Sequence, residues 1–171
     1  IQKRYADPRR TRIVESSAEL SIEDLIADED VAVTFSHMGY VKRTPLREYR
    51  AQKRGGTGRR GMATRDEDFV RDLFVARTHD RLMIFTTMGR CYLLPVYEVP
   101  EGGPAARGRP IVNLVNLQED ETIATVISLR EFDGRSLVMV SRGGMIKRTK
   151  LERYKNIRTY GIIACGLKEG D

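Results

Sequence analysis

Several residue types are scarce in this chain, and each scarcity argues against a class of function. There is no tryptophan, and there are only two cysteines, Cys91 and Cys165, and two histidines, His37 and His79. Neither cysteine has a second cysteine or a histidine nearby at metal-ligand spacing, so both are expected to be free thiols in a reducing compartment. Both histidines fall in turn-like sequence with no candidate nucleophile beside them. We therefore expect no metal site and no catalytic residue.

Long apolar runs are also missing. No stretch approaches the roughly 20 residues that a membrane-spanning helix needs, and none has the pattern of a signal peptide. No Walker-type loop or nucleophile elbow occurs, since the glycine-rich stretch from Gly55 to Gly58 follows no buried strand and lacks the Gly-Lys-Ser/Thr ending. We expect a cytoplasmic protein with no membrane partner.

Positive charge is abundant and unevenly distributed. The 30 lysines and arginines outnumber the 24 acids, for a net charge of +6 among 171 residues. Eight cations against one acid lie between residues 40 and 61, and seven against one lie between residues 142 and 158. Residues 86–109 contain only three cations and two acids. An excess of this kind favours an anionic partner, and nucleic acid rather than membrane.

A hairpin-like sequence recurs three times, in residues 36–46, 86–96 and 141–151. Its turn glycines, Gly39, Gly89 and Gly144, are 50 and 55 residues apart, and we expect them at positive φ. A second glycine column follows at Gly61, Gly108 and Gly161. Apolar alternating stretches between these columns indicate short strands. About 50 residues and four short strands per repeat are typical of a propeller blade.

The sequence therefore predicts an all-β protein, a propeller-like array of four-stranded units. Residues 1–30 form a basic and then acidic lead-in, and residues 31–171 form the array. We place the first unit at about 31–85, the second at about 86–140, and the start of a third at about 141–171. The strand that follows the second unit's loop, residues 122–129, has no counterpart in the third, so we expect a piece of a longer domain.

The most basic glycine-rich stretch runs from Gln52 to Gly58, as Gln-Lys-Arg-Gly-Gly-Thr-Gly, and continues with Arg59 and Arg60. Glycine lets a backbone approach a ligand closely, and interleaved cations attract polyanions. An ordinary solvated basic loop has the same composition. The spacing of these residues distinguishes the two interpretations.

This heptapeptide resembles the gyrase A box, Gln-Arg-Arg-Gly-Gly-Lys-Gly, of the C-terminal DNA-wrapping domain that belongs to the A chain of bacterial DNA gyrase. Five of its seven positions match, with Lys53 in place of an arginine and Thr57 in place of a lysine. Residues 5–11, Tyr-Ala-Asp-Pro-Arg-Arg-Thr, resemble the sequence that leads from the helical arm of gyrase A into the domain. The resemblance covers essentially the whole chain.

The resemblance implies a strand-exchanged β-pinwheel of six blades that bends and wraps double-stranded DNA. It implies a role in ATP-dependent negative supercoiling by a type II topoisomerase, within a heterotetramer of gyrase A with gyrase B. The cleaving tyrosine would lie upstream of this segment. ATP and Mg²⁺ would be used elsewhere in the holoenzyme, so this segment itself would have no cofactor.

The expected DNA contacts belong to the heptapeptide and its neighbours, and to cations in and near corresponding hairpin strands. They are Gln52, Lys53, Arg54, Gly55, Gly56, Thr57, Gly58, Arg59, Arg60, Lys42, Arg43, Arg107, Lys147 and Arg148. Such contacts would reach phosphates and be tolerant of sequence. Two alternatives remain: the equivalent C-terminal domain of topoisomerase IV, and a propeller that scaffolds proteins.

Overall fold

The structure, a computed structural model, describes residues 22–49, 61–64, 67–168 and 170–171. Within these ranges there are ten strands and five 3-10 helices, and no α-helix. The strands are β1 Asp30–Ser36, β2 Tyr40–Pro45, β3 Val70–Arg77, β4 Arg81–Thr86, β5 Arg90–Pro95, β6 Arg109–Pro110, β7 Ile123–Leu129, β8 Ser136–Val140, β9 Ile146–Lys150 and β10 Ile162–Ile163. The 3-10 helices are Glu23–Leu25, Leu46–Glu48, Val96–Glu98, Ile111–Asn113 and Leu151–Tyr154. No helix in the described ranges is long and apolar enough to cross a membrane. The predicted all-β class is confirmed.

The described strands pair into three antiparallel sheets, of order β3-β1-β2-β6, β10-β5-β4-β7 and β8-β9. The predicted unit limits at residues 85 and 140 are corrected by this pairing. β4 pairs with β5 and β7, so it opens the second unit, and β8 pairs with β9 and opens the third. The glycine spacing indicates the length of a unit but not where it starts, because a repeated hairpin looks the same whichever flanking strand is counted first.

Two short strands, β6 and β10, connect consecutive sheets. β6 follows the second hairpin in sequence but pairs with β2 of the first sheet. β10 follows the third hairpin and pairs with β5 of the second sheet. We call residues 99–110, which lead from the second unit back to the first sheet, the crossing segment. The strand exchange that the resemblance implied is confirmed, and the number of six blades stays a prediction.

The strand β1 is buried on both of its faces. Val31, Val33 and Phe35 lie in an apolar cluster with residues of the second unit, such as Ile84. The sequence pattern made the alternate residues look solvent-facing, yet Thr34 is fully buried. Thr34 is paired with Lys42 and shares its face, and the crossing segment covers that face. A distant segment therefore overrides the local alternation.

The predicted positive φ values of the turn glycines are confirmed, at 79° for Gly39, 71° for Gly89 and 80° for Gly144. Gly89 has a second constraint that Gly144 lacks. A Cβ on Gly89 would lie 2.1 Å from the carbonyl oxygen of Cys165, which follows β10, whereas nothing lies within 4 Å of a Cβ on Gly144. The exchanged chain thus runs in backbone contact with the hairpin turn of the second sheet.

Each hairpin turn is also held by a carboxylate, a feature that the sequence analysis missed. A serine or threonine before the turn pairs with an acid later in the unit, as Ser36 with Asp68, Thr86 with Glu121, and Ser141 with Asp171. In the second unit the buried Glu121 accepts from Thr86 Oγ1 at 2.6 Å, Tyr92 Oη at 2.7 Å and the Gln118 amide at 2.7 Å. These bonds tie the turn to the segment that precedes the outer strand.

The three carboxyls have lowered pKa values. Burial alone would raise the pKa of Glu121, but hydrogen bonds from the Gln118 amide and two hydroxyls lower it below its ordinary value. The same opposition gives a net lowering of the pKa of Asp68. For Asp171 the largest cause of the lowered pKa is the hydrogen bond from Ser141. A carboxyl whose pKa is lower in the folded than in the unfolded state stabilises the fold at pH values above its unfolded-state pKa. That stabilisation is lost as the pH falls through the folded-state pKa.

We predict that Gly89→Ala destabilises the chain more than Gly144→Ala. Both substitutions place a Cβ at positive φ, which costs about 1–2 kcal/mol. Only Gly89→Ala also collides with backbone, which adds about 1–3 kcal/mol by analogy with overpacking. Urea unfolding of the two variants measures the difference, and equal losses would contradict the close approach of the exchanged chain.

We also predict that Glu121 contributes to acid sensitivity. The free energy of unfolding should fall as the pH drops below the ordinary glutamate pKa of about 4.3 and through the lower folded-state pKa, and should fall less steeply in Glu121→Gln, because an amide does not titrate. The exposed neighbour Glu119→Gln serves as the matched control and should keep the wild-type pH dependence. Urea titrations at four pH values test this, and a wild-type slope in Glu121→Gln would refute it.

Candidate nucleic-acid interface

The heptapeptide from Gln52 to Gly58 lies outside the described residues, as do Arg59 and Arg60, but the chain on either side is placed. Before the loop, the Tyr49 amide donates to the Leu46 carbonyl at 2.9 Å. After it, Met62 is buried and the Ala63 amide donates to the Ala106 carbonyl at 3.4 Å. The chain therefore leaves the loop beside the crossing segment, next to Arg107.

Arg107 is a half-buried cation on this side of the first sheet. Its guanidinium lies over the ring of Tyr40, 4.1 Å from the ring centre. Its Nε and Nη2 atoms are shielded from solvent and have no hydrogen-bond partner among the described residues. Asp68 lies close enough for its pKa to be lowered by the charge of Arg107. Stacking and charge thus fix Arg107 in place, with two of its three guanidinium nitrogens shielded from an outside anion.

The prediction that Lys42 contacts phosphate is corrected by its burial. The side chain is fully buried, and Nζ donates to the carbonyls of Gly103 and Pro104, both at 2.7 Å. Burial lowers the pKa of Lys42, while the charge of Glu48 opposes that shift. Lys42 binds the crossing segment to the first sheet and is closed to a duplex.

Arg43 is bound to the same segment. Its Nε donates to the Val99 carbonyl at 2.8 Å, and its Nη1 lies 3.1 Å from a carboxylate oxygen of Glu101. Its amide donates to the Pro100 carbonyl, and its carbonyl accepts from the Gly102 amide. With its side chain only 15% exposed, Arg43 is largely occupied by these contacts. The sequence analysis missed this role because the partners are more than 50 residues away.

Lys147 and Arg148 occupy the same repeat positions in β9, but both are exposed. Lys147 Nζ donates to the Ala164 carbonyl at 2.5 Å. Arg148 lies opposite Val138 in the pairing of β9 with β8, which is the one pairing of β9 among the described strands. Corresponding positions therefore differ in exposure, and cations at this position do not form a continuous accessible rim.

Most exposed cations among the described residues fall into two groups that differ in their acid partners. In the first group Arg47 pairs with Glu29 at 2.6 Å, Arg130 with Asp28 at 3.5 Å, and Arg135 with Asp133 at 2.7 Å. The second group lies in the third unit, and none of its members forms an ion pair with a described acid. Its members are Arg142, Lys147, Arg148, Lys150, Arg153, Lys155, Arg158 and Lys168. Arg109 in β6 is a further exposed cation outside both groups, so within the described ranges most, but not all, of the exposed charge without an acid partner lies in the third unit.

Other candidate chemistry is limited in the part of the chain that the structure describes. No group of three or more His, Cys, Asp or Glu side chains there could hold a metal ion. His37 stacks on Phe69 with ring centres 4.7 Å apart, and His79 is hydrogen-bonded to the Ile26 carbonyl at 2.8 Å. The two cysteines are free, and burial raises the pKa of Cys91 to about 12.

Antiparallel sheets joined by exchanged strands, with open positive charge in one unit, define a propeller-type array that suits a polyanionic partner. The sequence model of the family described as DNA gyrase C-terminal domain, beta-propeller, matches residues 30–77, 80–130 and 135–171. This chain belongs to that family. The three matched ranges also follow the corrected unit limits.

Curated relatives and solved structures agree with this assignment. The chain is 44% identical over its whole length to the DNA gyrase A protein of Neisseria gonorrhoeae, and 47% identical to that of Streptococcus pyogenes serotype M1. It spans about a fifth of each, 19% and 21%. A solved DNA topoisomerase IV C-terminal domain is similar at 34% identity and a TM-score of 0.70, covering 84% of this chain and 43% of its own. A solved DNA gyrase A C-terminal domain is similar at 26% identity and a TM-score of 0.62, covering 83% of this chain and 45% of its own.

We predict that Lys42→Met and Lys147→Met differ in stability although they change the same repeat position. Lys42→Met removes a fully buried ammonium and leaves the carbonyls of Gly103 and Pro104 without this donor, which costs about 1–3 kcal/mol. Lys147→Met removes one hydrogen bond, from Nζ to the Ala164 carbonyl, on an otherwise exposed side chain and should cost about 0.5–1.5 kcal/mol. Urea unfolding compares them, and an unchanged Lys42→Met would show that the crossing segment does not need this ammonium.

Proposed function

We propose that this chain binds, bends and wraps double-stranded DNA as the C-terminal domain of a bacterial DNA gyrase A protein. In the complete enzyme it would allow ATP-dependent negative supercoiling by presenting the wrapped duplex for strand passage. The proposed setting is a cytoplasmic heterotetramer with gyrase B, with ATP and Mg²⁺ bound outside this segment. The chain itself would contribute binding and geometry rather than bond cleavage.

The observation that carries this proposal is the heptapeptide from Gln52 to Gly58 in a chain that belongs to the gyrase C-terminal domain family. Its glycines would let backbone amides approach phosphates, and its cations would neutralise them. The proposed contacts are Gln52, Lys53, Arg54, Gly55, Gly56, Thr57, Gly58, Arg59, Arg60, Arg107, Lys147 and Arg148. Arg43 would contribute only its remaining exposed edge, and Lys42 would act through the crossing segment.

The mode of binding follows from the kind of groups available. Cations and a glycine backbone suit phosphate contacts, and the described residues contain no α-helix that would place such cations against base edges in the major groove, so binding should tolerate any sequence. Counterion release should then dominate the free energy of binding. The logarithm of the DNA association constant should fall by about 0.9 per log unit of salt concentration for each phosphate contacted. A scaffold for proteins would lack this steep dependence on salt.

Topoisomerase IV is the second candidate, because the solved topoisomerase IV domain is structurally similar to this chain. The curated relatives with 44–47% identity are gyrase A proteins, and five positions of the heptapeptide match the gyrase box. These two observations favour gyrase. The difference between the two enzymes lies in wrapping, so an experiment on wrapping separates them.

We predict that replacing residues 52–58 with alanine abolishes supercoiling by the complete enzyme while relaxation remains. Two lost cations, Lys53 and Arg54, should reduce the salt slope of DNA binding by only about 2. Bending a 20–30 base-pair segment costs about 1–6 kcal/mol, and contacts at the far end of the arc must offset it. Supercoiling of relaxed plasmid measures the loss of activity, and ligation of nicked circles measures the loss of wrapping.

The matched control removes two exposed cations that are already paired with acids, as Arg130→Ala with Arg135→Ala. It should retain supercoiling, because each guanidinium already lies beside a carboxylate: Arg135 is 2.7 Å from Asp133, and Arg130 is 3.5 Å from Asp28, which it shares with Arg77. Normal supercoiling by the heptapeptide variant would reduce it to an ordinary basic loop and favour topoisomerase IV. A salt-independent affinity of the wild-type chain for duplex would refute DNA binding itself.

A further inference from the structure

We infer that the turn between β3 and β4 holds the segment before the first strand in one direction, and that this turn sets how the domain is attached to the rest of the enzyme. We call residues 26–29 the strap and residues 77–80 the strap-binding turn. The positioning residues would be Arg77, Thr78 and His79. This inference rests on the proposed function and adds to it a site that does not touch DNA.

Thr78 bonds the strap through both its side chain and its backbone. Its hydroxyl donates to the Ala27 carbonyl at 2.6 Å and accepts from the Glu29 amide at 3.0 Å. Its own amide donates to the Glu29 carbonyl at 3.0 Å. Thr78 is only 1% exposed, so these bonds are sheltered from exchange with water. One residue thus satisfies three backbone groups of the strap.

The residues on either side of Thr78 hold the rest of the strap. Arg77 Nη2 donates to the Asp28 carbonyl at 3.0 Å and lies 2.9 Å from the carboxylate of the same residue. His79 Nε2 is 2.8 Å from the Ile26 carbonyl oxygen, and because a carbonyl only accepts, this nitrogen carries the proton. All four strap residues are therefore bonded through their backbone, which fixes the path of the strap independently of its side chains.

The strap-binding turn is itself fastened to the second unit. Asp80 Oδ2 accepts from the Arg77 amide at 2.9 Å, and the Asp80 amide donates to the Arg77 carbonyl at 3.0 Å. The Asp80 carbonyl accepts from the Val96 amide, directly after β5, at 2.9 Å. The strap leads into the first sheet, but the groups that hold it are ordered by the second.

The chain just before the strap also lies along the second unit. The 3-10 helix Glu23–Leu25 precedes the strap, and the Ile26 amide donates to the Glu23 carbonyl at 3.2 Å. Burial raises the pKa of Tyr97, and the charges of Glu98 and Glu23 raise it further. Glu23 is therefore close to Tyr97, in the 3-10 helix that follows β5. The entering chain is aligned with the second unit over its whole described length.

Two ion pairs also reach the strap, but they do not decide its position. Arg47 pairs with Glu29 at 2.6 Å and Arg130 with Asp28 at 3.5 Å, and the two arginine side chains are 71% and 60% exposed. Exposed pairs of this kind contribute little, because water screens them. The strap depends instead on the buried hydroxyl of Thr78 and on the bonds to its backbone.

The strap-binding turn is not repeated in the next unit. The corresponding turn between β7 and β8, residues 130–135, reads Arg-Glu-Phe-Asp-Gly-Arg and has neither a hydroxyl nor a histidine. Thr78 and His79 thus occur where the lead-in meets the array, and not as a general feature of the repeat. This placement indicates a joint.

A fixed entry matters for the proposed wrapping. In the complete enzyme a wrapped duplex has to be directed to the site of strand passage, and its direction depends on how the domain is attached. If the strap comes loose, the domain keeps its DNA-binding groups but can rotate about its entry, so the duplex is delivered in many directions. The strap-binding turn would therefore act on supercoiling and not on DNA binding.

The first test is cleavage of the 171-residue chain after Glu29 by a glutamate-specific protease, with products identified by mass. Thr78→Val keeps the shape of the side chain but removes its hydroxyl, so cleavage should accelerate about two- to tenfold for each hydrogen bond lost. Thr78→Ser retains a hydroxyl and should be cleaved at nearly the wild-type rate.

The matched control is Thr87→Val. Thr87 Oγ1 likewise bonds a backbone carbonyl and a backbone amide, both of Thr122 and both at 3.3 Å, but within the second unit. This variant should leave cleavage after Glu29 unchanged. Thermal unfolding of each variant confirms that it is folded.

The second test separates positioning from DNA binding. Thr78→Val with His79→Leu should leave the duplex affinity and salt slope of the chain at wild-type values. In the complete enzyme the same pair should reduce the rate of supercoiling by about tenfold, because misdirected duplex is delivered less often, while relaxation is retained. Thr78→Ser and Thr87→Val should supercoil normally.

The outcomes distinguish this inference from the proposed function. Unchanged cleavage of Thr78→Val, or normal supercoiling by the double variant, would overturn this inference alone. Weaker duplex binding by the double variant would also overturn it, since the turn would then be a DNA contact. A salt-independent affinity of the wild-type chain for duplex would overturn the proposed function, whereas cleavage after Glu29 tests the strap without DNA.

Discussion

The backbone contact between one unit and the next is the constraint on which the rest of this structure depends. The edge strands β6 and β10 come from the following unit, and they run so close to the receiving sheet that side chains cannot fit between. A Cβ on Gly108 would lie 2.4 Å from the Val41 carbonyl oxygen, and one on Gly161 would lie 2.8 Å from the ring of Tyr92. Glycine is required at these two positions by contact as well as by positive φ, so Gly108 and Gly161 mark the joints between units.

This constraint also decides what the cations do. A buried ammonium loses its hydration, which is costly unless fixed acceptors replace water. The crossing segment supplies them to Lys42 as two carbonyls, while Arg43 receives a carbonyl and the carboxylate of Glu101. The same pair in β9, Lys147 and Arg148, remains exposed. Identical dipeptides at corresponding positions are thus buried in one unit and exposed in another, where Lys147 Nζ bonds one carbonyl, that of Ala164, in place of the two that Lys42 bonds.

The sequence was sufficient for properties that depend on local pattern. Positive φ at Gly39, the all-β class and the repeat length follow from turn chemistry and periodicity, which act over a few residues. The starts of the second and third units, at about 86 and 141, were placed one strand too late, because the repeated hairpin does not show on which side β4 and β8 pair. The burial of Lys42 was missed since its acceptors are some 60 residues away, and Glu121 was missed because the spacing from each hydroxyl to its acid varies between units. The contacts proposed for the heptapeptide loop stay predictions.

The proposed wrapping would give the buried cations a function that DNA contact alone would not. A bent duplex exerts a restoring force on every point that holds it, and bending costs several kcal/mol over a few helical turns. Contacts on different units could resist that force only if the units keep their relative placement. The short strands β6 and β10 provide few backbone hydrogen bonds between units. The side-chain hydrogen bonds of Lys42, Arg43 and Arg90 to the exchanged chain would therefore supply much of the resistance to movement between units. Cations that never touch DNA would then determine how tightly it can be curved, and weakening them should reduce wrapping while leaving simple binding intact.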